Sequence, residues 1–325
     1  MIDWTDYSRS LPSAQFILLN LALGVGHFLV LLNAGAYLPM LPNIAGTLGE
    51  GVPYAVWGQS NYFVMMGAAM LITRPLIRKW GVKNIALFAY FTFGTASAAV
   101  LLALPYYQLV TIARMAQGFA AGTSIIASFI LLRESFQESK QQIAITLWSL
   151  ALFIPFSVGP IVGGFFAYIE DDWRLLFVVS TLVSYFVTGV LWALLADRQD
   201  VPDRPYSVSG HLWLFIVFCA AALTFQQFFN IGIISDISNR WSTHWWIFAA
   251  FSGFAWLFWV LNNAAKAPLV DLSLFKYPNY AFGTLILCLA FLCFQGSIVE
   301  YVLRLELVEG FTPWHAGLVF LPLFI

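Results

Sequence analysis

Arg114-Met115-Ala116-Gln117-Gly118-Phe119-Ala120-Ala121-Gly122 lies inside one long apolar run, and Gly159-Pro160-Ile161-Val162-Gly163-Gly164 lies inside the next. These two stretches decide the fold. An arginine within lipid-spanning sequence is costly unless it faces the protein interior or a water-filled cavity, so it marks a functional position. Glycines four apart let two helices meet backbone to backbone, and proline bends a helix by removing a donor. The same pattern in a soluble chain would strand a cation in its core. Lipid-spanning helices are the consistent reading.

Composition extends that reading to the whole chain. Hydrophobic residues make up 61% of the 325 and charged residues 10%, where soluble domains carry about 25% charged. The mean hydropathy is +0.81. A net charge of −1 gives no footprint for nucleic acid. Apolar runs fall at about 14–38, 54–73, 84–104, 107–132, 142–168, 174–196, 211–234, 244–262 and 281–303, with a shorter one from 314. At about 20 residues per crossing, these predict nine complete transmembrane helices and the start of a tenth. They are too long and too unalternating for barrel strands. The last run stops at Leu323-Phe324-Ile325, too short to span, so the chain is expected to be cut off within a helix.

Charge placement sets the orientation. With the N-terminus inside, inner segments hold Arg9, Arg74, Arg78, Lys79, Lys83, Arg133, Lys140, Arg198, Arg204, Lys266 and Lys276, eleven in all. The outer segments hold three, Arg174, Arg240 and Arg304. That asymmetry places the N-terminus in the cytoplasm of a cell whose plasma, or bacterial inner, membrane holds the chain. Tryptophans at the predicted helix ends, Trp57, Trp173, Trp241, Trp245 and Trp314 outside and Trp80, Trp192 and Trp213 inside, read as headgroup anchors. Segment 197–210, rich in charge and proline, divides the chain. It separates a six-helix bundle (1–196) from two further helices (211–262) and the incomplete start of a second bundle (263–325).

Within the spans few residues carry chemistry. Arg114, Gln117, Gly118, Ala121 and Gly122 share one face of the fourth predicted helix. Arg114 either bonds carbonyls of a neighbouring helix or faces a cavity. His27 sits near the middle of the first helix and is either a proton carrier or a neutral hydrogen-bonded side chain. Asn33, six residues on, points about 120° away from it. Gln295 and Glu300 lie on the ninth helix as candidates for the cavity and for coupling, and Glu300, near the outer end, either serves there or reaches water. No Asp or Glu falls within the first six apolar runs. The four histidines are scattered, and the three cysteines lie singly in apolar runs, so neither a metal site nor a Ser-His dyad is indicated. A membrane-embedded enzyme is accordingly disfavoured.

Taken in order, the motifs resemble the major facilitator superfamily, and within it the 14-helix drug:proton antiporter branch of multidrug-resistance protein B type. Arg114 to Gly122 is similar to the family's R-x-x-Q-G motif, and Gly159 to Gly164 to its antiporter motif. Asp172-Trp173-Arg174-Leu175-Leu176-Phe177 is similar to D-W-R-x-x-F, and Pro268 to Phe275 to P-L-x-D-L-x-L-F. Gly310 to Gly317 resembles the loop that follows. The inner loop, with Arg74, Arg78, Lys79, Gly81 and Lys83, departs from G-x-L-x-D-R-x-G-R-K. Arg74 replaces the first glycine, Arg78 the aspartate and Val82 the second-last arginine. Asn33, nine residues before Pro42, stands where the family usually has an aspartate, and Pro155 where the longer antiporter motif has a glycine.

The resemblance implies two six-helix bundles around a cavity, with Arg114, Gln117, His27 and Asn33 lining one half and Gln295 the other. It implies a secondary transporter that works by alternating access, most simply proton-coupled efflux of a small amphipathic compound. Because no membrane carboxylate partners Arg114, a neutral or organic-anion-like substrate is expected over a lipophilic cation. No cofactor is implied beyond a proton gradient. The partners implied are the lipid bilayer, a small-molecule substrate and a periplasmic adaptor protein, with the transporter itself a monomer. A uniporter, a metabolite exporter, or an inactive fragment would present the same sequence.

Overall fold

The computed structural model describes residues 13–135, 146, 148, 154–155, 158–195, 208–234, 241–265 and 268–321. All regular structure among them is helical. The helices are α1 (Ser13–Ala36), the short α2 (Leu41–Leu48), α3 (Val52–Trp80), α4 (Val82–Leu102) and α5 (Tyr107–Ser135). They continue with α6 (Val158–Ile169), α7 (Leu175–Leu194), α8 (Val208–Ile234), α9 (Trp241–Ala264), α10 (Pro278–Leu307) and α11 (Pro313–Leu318). Each predicted run falls on one of these, although most of 142–157 and the boundary segment up to residue 207 lie outside the described residues.

Seven of the described helices are long and apolar enough to cross a membrane. The 29-residue α3 has the length but carries Gln59, Ser60 and Asn61 in its first half and Arg74, Arg78 and Lys79 toward its end. It turns into α4 at Gly81, whose φ of +79° suits glycine and whose N–H donates to Ile77 O at 2.8 Å. This is the tight turn expected before that helix.

Glycines set how closely the helices approach. A Cβ on Gly118 would collide with the Tyr62 carbonyl, and one on Gly122 with that of Met66, so α5 lies directly against the backbone of α3. Without a hydrophobic drive between helices in lipid, such close van der Waals packing holds a bundle together. α4 packs between α5 and α7, and α1 against α7. α9 pairs with α8, which docks on α3, and the Phe215 ring of α8 meets that of Phe119 on α5 edge to face at 5.8 Å.

Three apolar clusters stack along the bundle. One surrounds Tyr90, Leu76 and Leu191 near the basic end, one Phe93 and Tyr62 at the centre, and one Tyr37, Phe177 and Trp173 at the far end. The far cluster also takes in Val302 of α10 and Phe320, just past α11. Trp173 corrects the anchor reading. It is 5% exposed, and its Nε1 donates to Thr47 Oγ1 at 3.0 Å, so it is a core residue with a satisfied polar edge. Trp192 and Trp245 are largely exposed, as headgroup anchors require.

Candidate functional site

Five helices of the first bundle converge on Arg114, which is 0% exposed. Its Nη1 donates to Asn33 Oδ1 of α1 at 2.6 Å and to Gln117 Oε1, one turn along α5, at 2.7 Å. Nη2 donates to Gln59 Oε1 of α3 at 2.7 Å. The amides pass the network outward. Gln117 Nε2 donates to Ser97 Oγ of α4 at 2.7 Å, and Asn33 Nδ2 to Ser180 Oγ of α7 at 3.0 Å. Gln59 Nε2 donates to Ala34 O at 2.7 Å.

The guanidinium plane lies between two aromatic faces, with Cζ 4.3 Å from the ring centroids of both Tyr37 and Tyr62. Both phenols are satisfied by backbone, Tyr62 donating to Val30 O at 2.7 Å and Tyr37 to Ala55 O at 3.3 Å. Gly58 leaves room for this stack, since an added Cβ would lie 2.8 Å from the Tyr37 hydroxyl.

Every oxygen that Arg114 bonds belongs to a neutral side-chain amide, and the two flanking rings add cation–π attraction without charge. Neither sequence reading of Arg114 is met in full. It is not held by backbone carbonyls, and in this conformation it does not line an open cavity. A positive charge is enclosed at membrane depth, and among the described residues no carboxylate partners it. Such a charge costs free energy that the surrounding dipoles offset only in part. Nε finds no partner among the described residues.

The other expected site residues separate. Asn33 and Gln117 join Arg114, whereas His27 does not. It lies one turn along α1 from Val30, 0% exposed, with its ring stacked on Trp148 at 4.3 Å and no hydrogen-bond partner for either nitrogen among the described residues. The angular offset read between His27 and Asn33 is what sends them into different surroundings. Glu300 is exposed near the end of α10, and Gln295 is half-buried, with no partner for its Oε1 among the described residues. Arg74, Arg78, Lys79 and Lys83 flank the Gly81 turn, with Lys79 Nζ 4.6 Å above the Trp80 ring. Gln59, Tyr37, Tyr62, Ser97 and Ser180 were missed. The polar triplet Gln59-Ser60-Asn61 inside an apolar run was the available signal, while single serines in such helices carry none.

Around the antiporter motif, α6 is clasped on two sides. A Cβ on Gly159 would strike Gly35, and one on Gly163 the Ala36 carbonyl, which puts that face against the end of α1. On another face a Cβ on Gly164 would strike the Pro313 carbonyl, and one on Gly317 the Pro160 carbonyl, which puts α6 backbone to backbone with α11. Phe165 and Trp314 close the contact with ring centroids 6.1 Å apart. At Phe165–Ile169 the helix widens into a π turn, which absorbs one extra residue where α6 ends. Among the described residues no group of His, Cys, Asp or Glu is arranged to hold a metal ion.

Comparison with known proteins agrees with this architecture. The family model for the Major Facilitator Superfamily matches residues 23–325. Multidrug export protein EmrB of Escherichia coli (strain K12) is 26% identical, aligned over 97% of this chain and 60% of its own length. The protein of that name from Haemophilus influenzae is 28% identical, over 97% and 61%. Fatty acid resistance protein FarB of Neisseria gonorrhoeae is 26% identical, over 96% and 60%. The chain thus spans about 60% of the length of these relatives. A crystal structure of a mutant of the peptide transporter POT in complex with sulfate superposes with a TM-score of 0.53 at 14% identity, covering 74% of this chain and 51% of that one. That likeness concerns the fold alone. The chain belongs to the Major Facilitator Superfamily.

Proposed function

We propose that the chain acts in a secondary transporter of a bacterial inner membrane, exporting a small amphipathic compound of neutral or anionic character by alternating access. The observation that carries this reading is the enclosed charge of Arg114, bonded among the described residues only to neutral amides where five helices meet. For a solute to reach it, the bundles must part, and the α6–α11 contact is where they join. With the N-terminus inside, that contact lies toward the outer face, so the conformation described is closed outside. The relatives' names, multidrug export and fatty acid resistance, support export of amphipathic compounds. A proton gradient would supply the energy through His27, the one imidazole at mid-span among the described residues. A periplasmic adaptor protein would be the partner on the outer side, and the transporter itself a monomer.

Proteoliposomes with an imposed pH gradient test this, with an anionic and a cationic fluorescent amphiphile compared side by side. Asn33→Asp gives Arg114 a carboxylate where it now has an amide oxygen at 2.6 Å. Anion transport is expected to fall about tenfold or more, corresponding to about 1.4 kcal/mol, while cation transport is spared or rises. Cation transport by the wild type, with anion transport absent and unaffected by Asn33→Asp, would overturn the substrate assignment. Uphill transport unchanged in His27→Gln would overturn the coupling assignment.

A further inference from the structure

One face of α10 is buried against the first bundle at the far end and open toward the basic end. Leu287, Phe291, Gln295, Ile298 and Val302 all fall within about 40° of Phe291 around the helix, at ~100° per residue. Val302 is 0% and Ile298 7% exposed, both within the apolar cluster around Tyr37 and Phe177. Phe291 is 49% exposed, and Leu287, one turn nearer the basic end, is 71% exposed. The face therefore leaves the bundle between Ile298 and Phe291. α3 forms the opposite wall. Phe63, Met70 and Arg74 share a face of that helix, half-buried at Phe63 and Met70 and exposed at Arg74.

The two walls meet at Phe63 and Phe291, whose rings lie edge to face with centroids 6.5 Å apart. Phe63 stands about 17 Å along α3 from its start, and Phe291 about 20 Å along α10, so the meeting point is near mid-bilayer. Gln295 lies one turn beyond Phe291 on the same face, toward the far end. Its Oε1 is enclosed and has no hydrogen-bond partner among the described residues. An enclosed acceptor without a donor is unfavourable, and an O–H or N–H brought to this apex would remove that cost. Phe63 also meets the Tyr62 ring edge to face at 5.8 Å, and Tyr62 lies against the Arg114 guanidinium at 4.3 Å. A ring held against Phe63 therefore bears on the stack that holds Arg114.

We propose that Phe63, Phe291 and Gln295 contact the transported compound where the walls meet, and that they select a solute carrying an aromatic ring with a hydrogen-bond donor. The ring packs against the two phenylalanines, which favour edge-to-face or offset partners, and the donor bonds Gln295 Oε1. The inference rests on the transport reading above and narrows its amphipathic substrate to an aryl alcohol or aryl N–H compound. Recognition then draws on α10 as well as α3, and Arg114 senses the solute through Tyr62.

Equilibrium dialysis of the purified chain in detergent against 6-hydroxynaphthalene-2-sulfonate tests the proposal. Two probes accompany it, the 6-methoxy ether, which lacks the donor, and the decahydro alcohol, which lacks the arene. The wild type is expected to bind the naphthol about fivefold more tightly than either. Gln295→Leu should bring the naphthol and its ether to equal affinity while keeping the preference over the saturated alcohol. Phe291→Leu should do the reverse, narrowing the gap to the saturated alcohol and keeping the preference over the ether. A general loss of structure does not separate the two ratios in this way. Equal binding of all three probes by the wild type, no saturable binding of the naphthol, or unchanged ratios in Gln295→Leu would overturn the site. Anion transport in proteoliposomes by a wild type that lacks these ratios would remove the site and leave the transport reading standing. The ratios in a chain that moves no amphiphile would overturn the transport reading instead.

Discussion

Gly163→Ala isolates the tight contact between α6 and α1. The new methyl group falls inside contact distance of the Ala36 carbonyl oxygen, so the two helices must part by roughly 1 Å to restore ordinary separation. Overpacking of this kind costs about 1–3 kcal/mol. Alanine in a helix interior returns up to about 1 kcal/mol of propensity. Gly67→Ala supplies the control, because Gly67 is an exposed mid-helix glycine of α3 whose added Cβ meets nothing within 4 Å. The propensity gain is common to both variants and cancels in their difference, leaving about 1–3 kcal/mol from the contact alone. Thermal unfolding in detergent micelles should place Gly163→Ala below the wild type and Gly67→Ala at or above it. Transport in proteoliposomes should fall in the first and persist in the second. Identical unfolding midpoints and transport rates for the two variants would refute the argument that backbone contact at α6 holds the closed conformation.

Arg114→Lys replaces a forked, stacked cation by a point charge that cannot span Asn33, Gln117 and Gln59. The loss should be on the order of 2–4 kcal/mol by thermal unfolding, with transport abolished. Asn262→Ala frees the N–H groups of Leu269 and Val270, which the Asn262 side chain now accepts at 2.9 and 3.1 Å. Amide exchange at those two residues should accelerate by about tenfold, matching a lost bond of roughly 1–2 kcal/mol. Asp271 caps the turn before α10, and the Ser273 hydroxyl and amide hold its carboxyl below the usual carboxylate range. A depressed carboxyl stabilises above its ordinary pKa, and that contribution is lost as pH falls through the folded value. Exchange protection at Ser273 should therefore hold at neutral pH and drop in acid, and Asp271→Asn should remove the pH dependence.

The sequence made the helices legible because lipid leaves few alternatives to a run of twenty apolar residues. It also made Arg114, Gln117 and Gly159 to Gly164 legible, since polar and small residues stand out against that background. The partners of Arg114 were harder to read. Gln59 lies 55 positions from it and Ser97 is an ordinary serine, so only the three-dimensional convergence of α3, α4 and α5 brings them together. His27 and Asn33 share a helix, and a rotation of about 120° sends one to Trp148 and the other to Arg114. Position along the helix predicts depth, and from the sequence Trp173 reads as an interfacial anchor. Its burial depends on the packing of Thr47 and Phe177, which hydropathy does not encode.

The account rests most directly on the opening of the α6–α11 contact. In a variant with Cys219, Cys288 and Cys293 replaced, cysteines introduced at Phe165 and Trp314, whose rings now lie 6.1 Å apart, can be joined by a short cleavable cross-linker. The account predicts efficient cross-linking in the resting protein, transport arrested while the link holds, and recovery on cleavage. A cross-linked protein that transports at the rate of the unlinked one would contradict it.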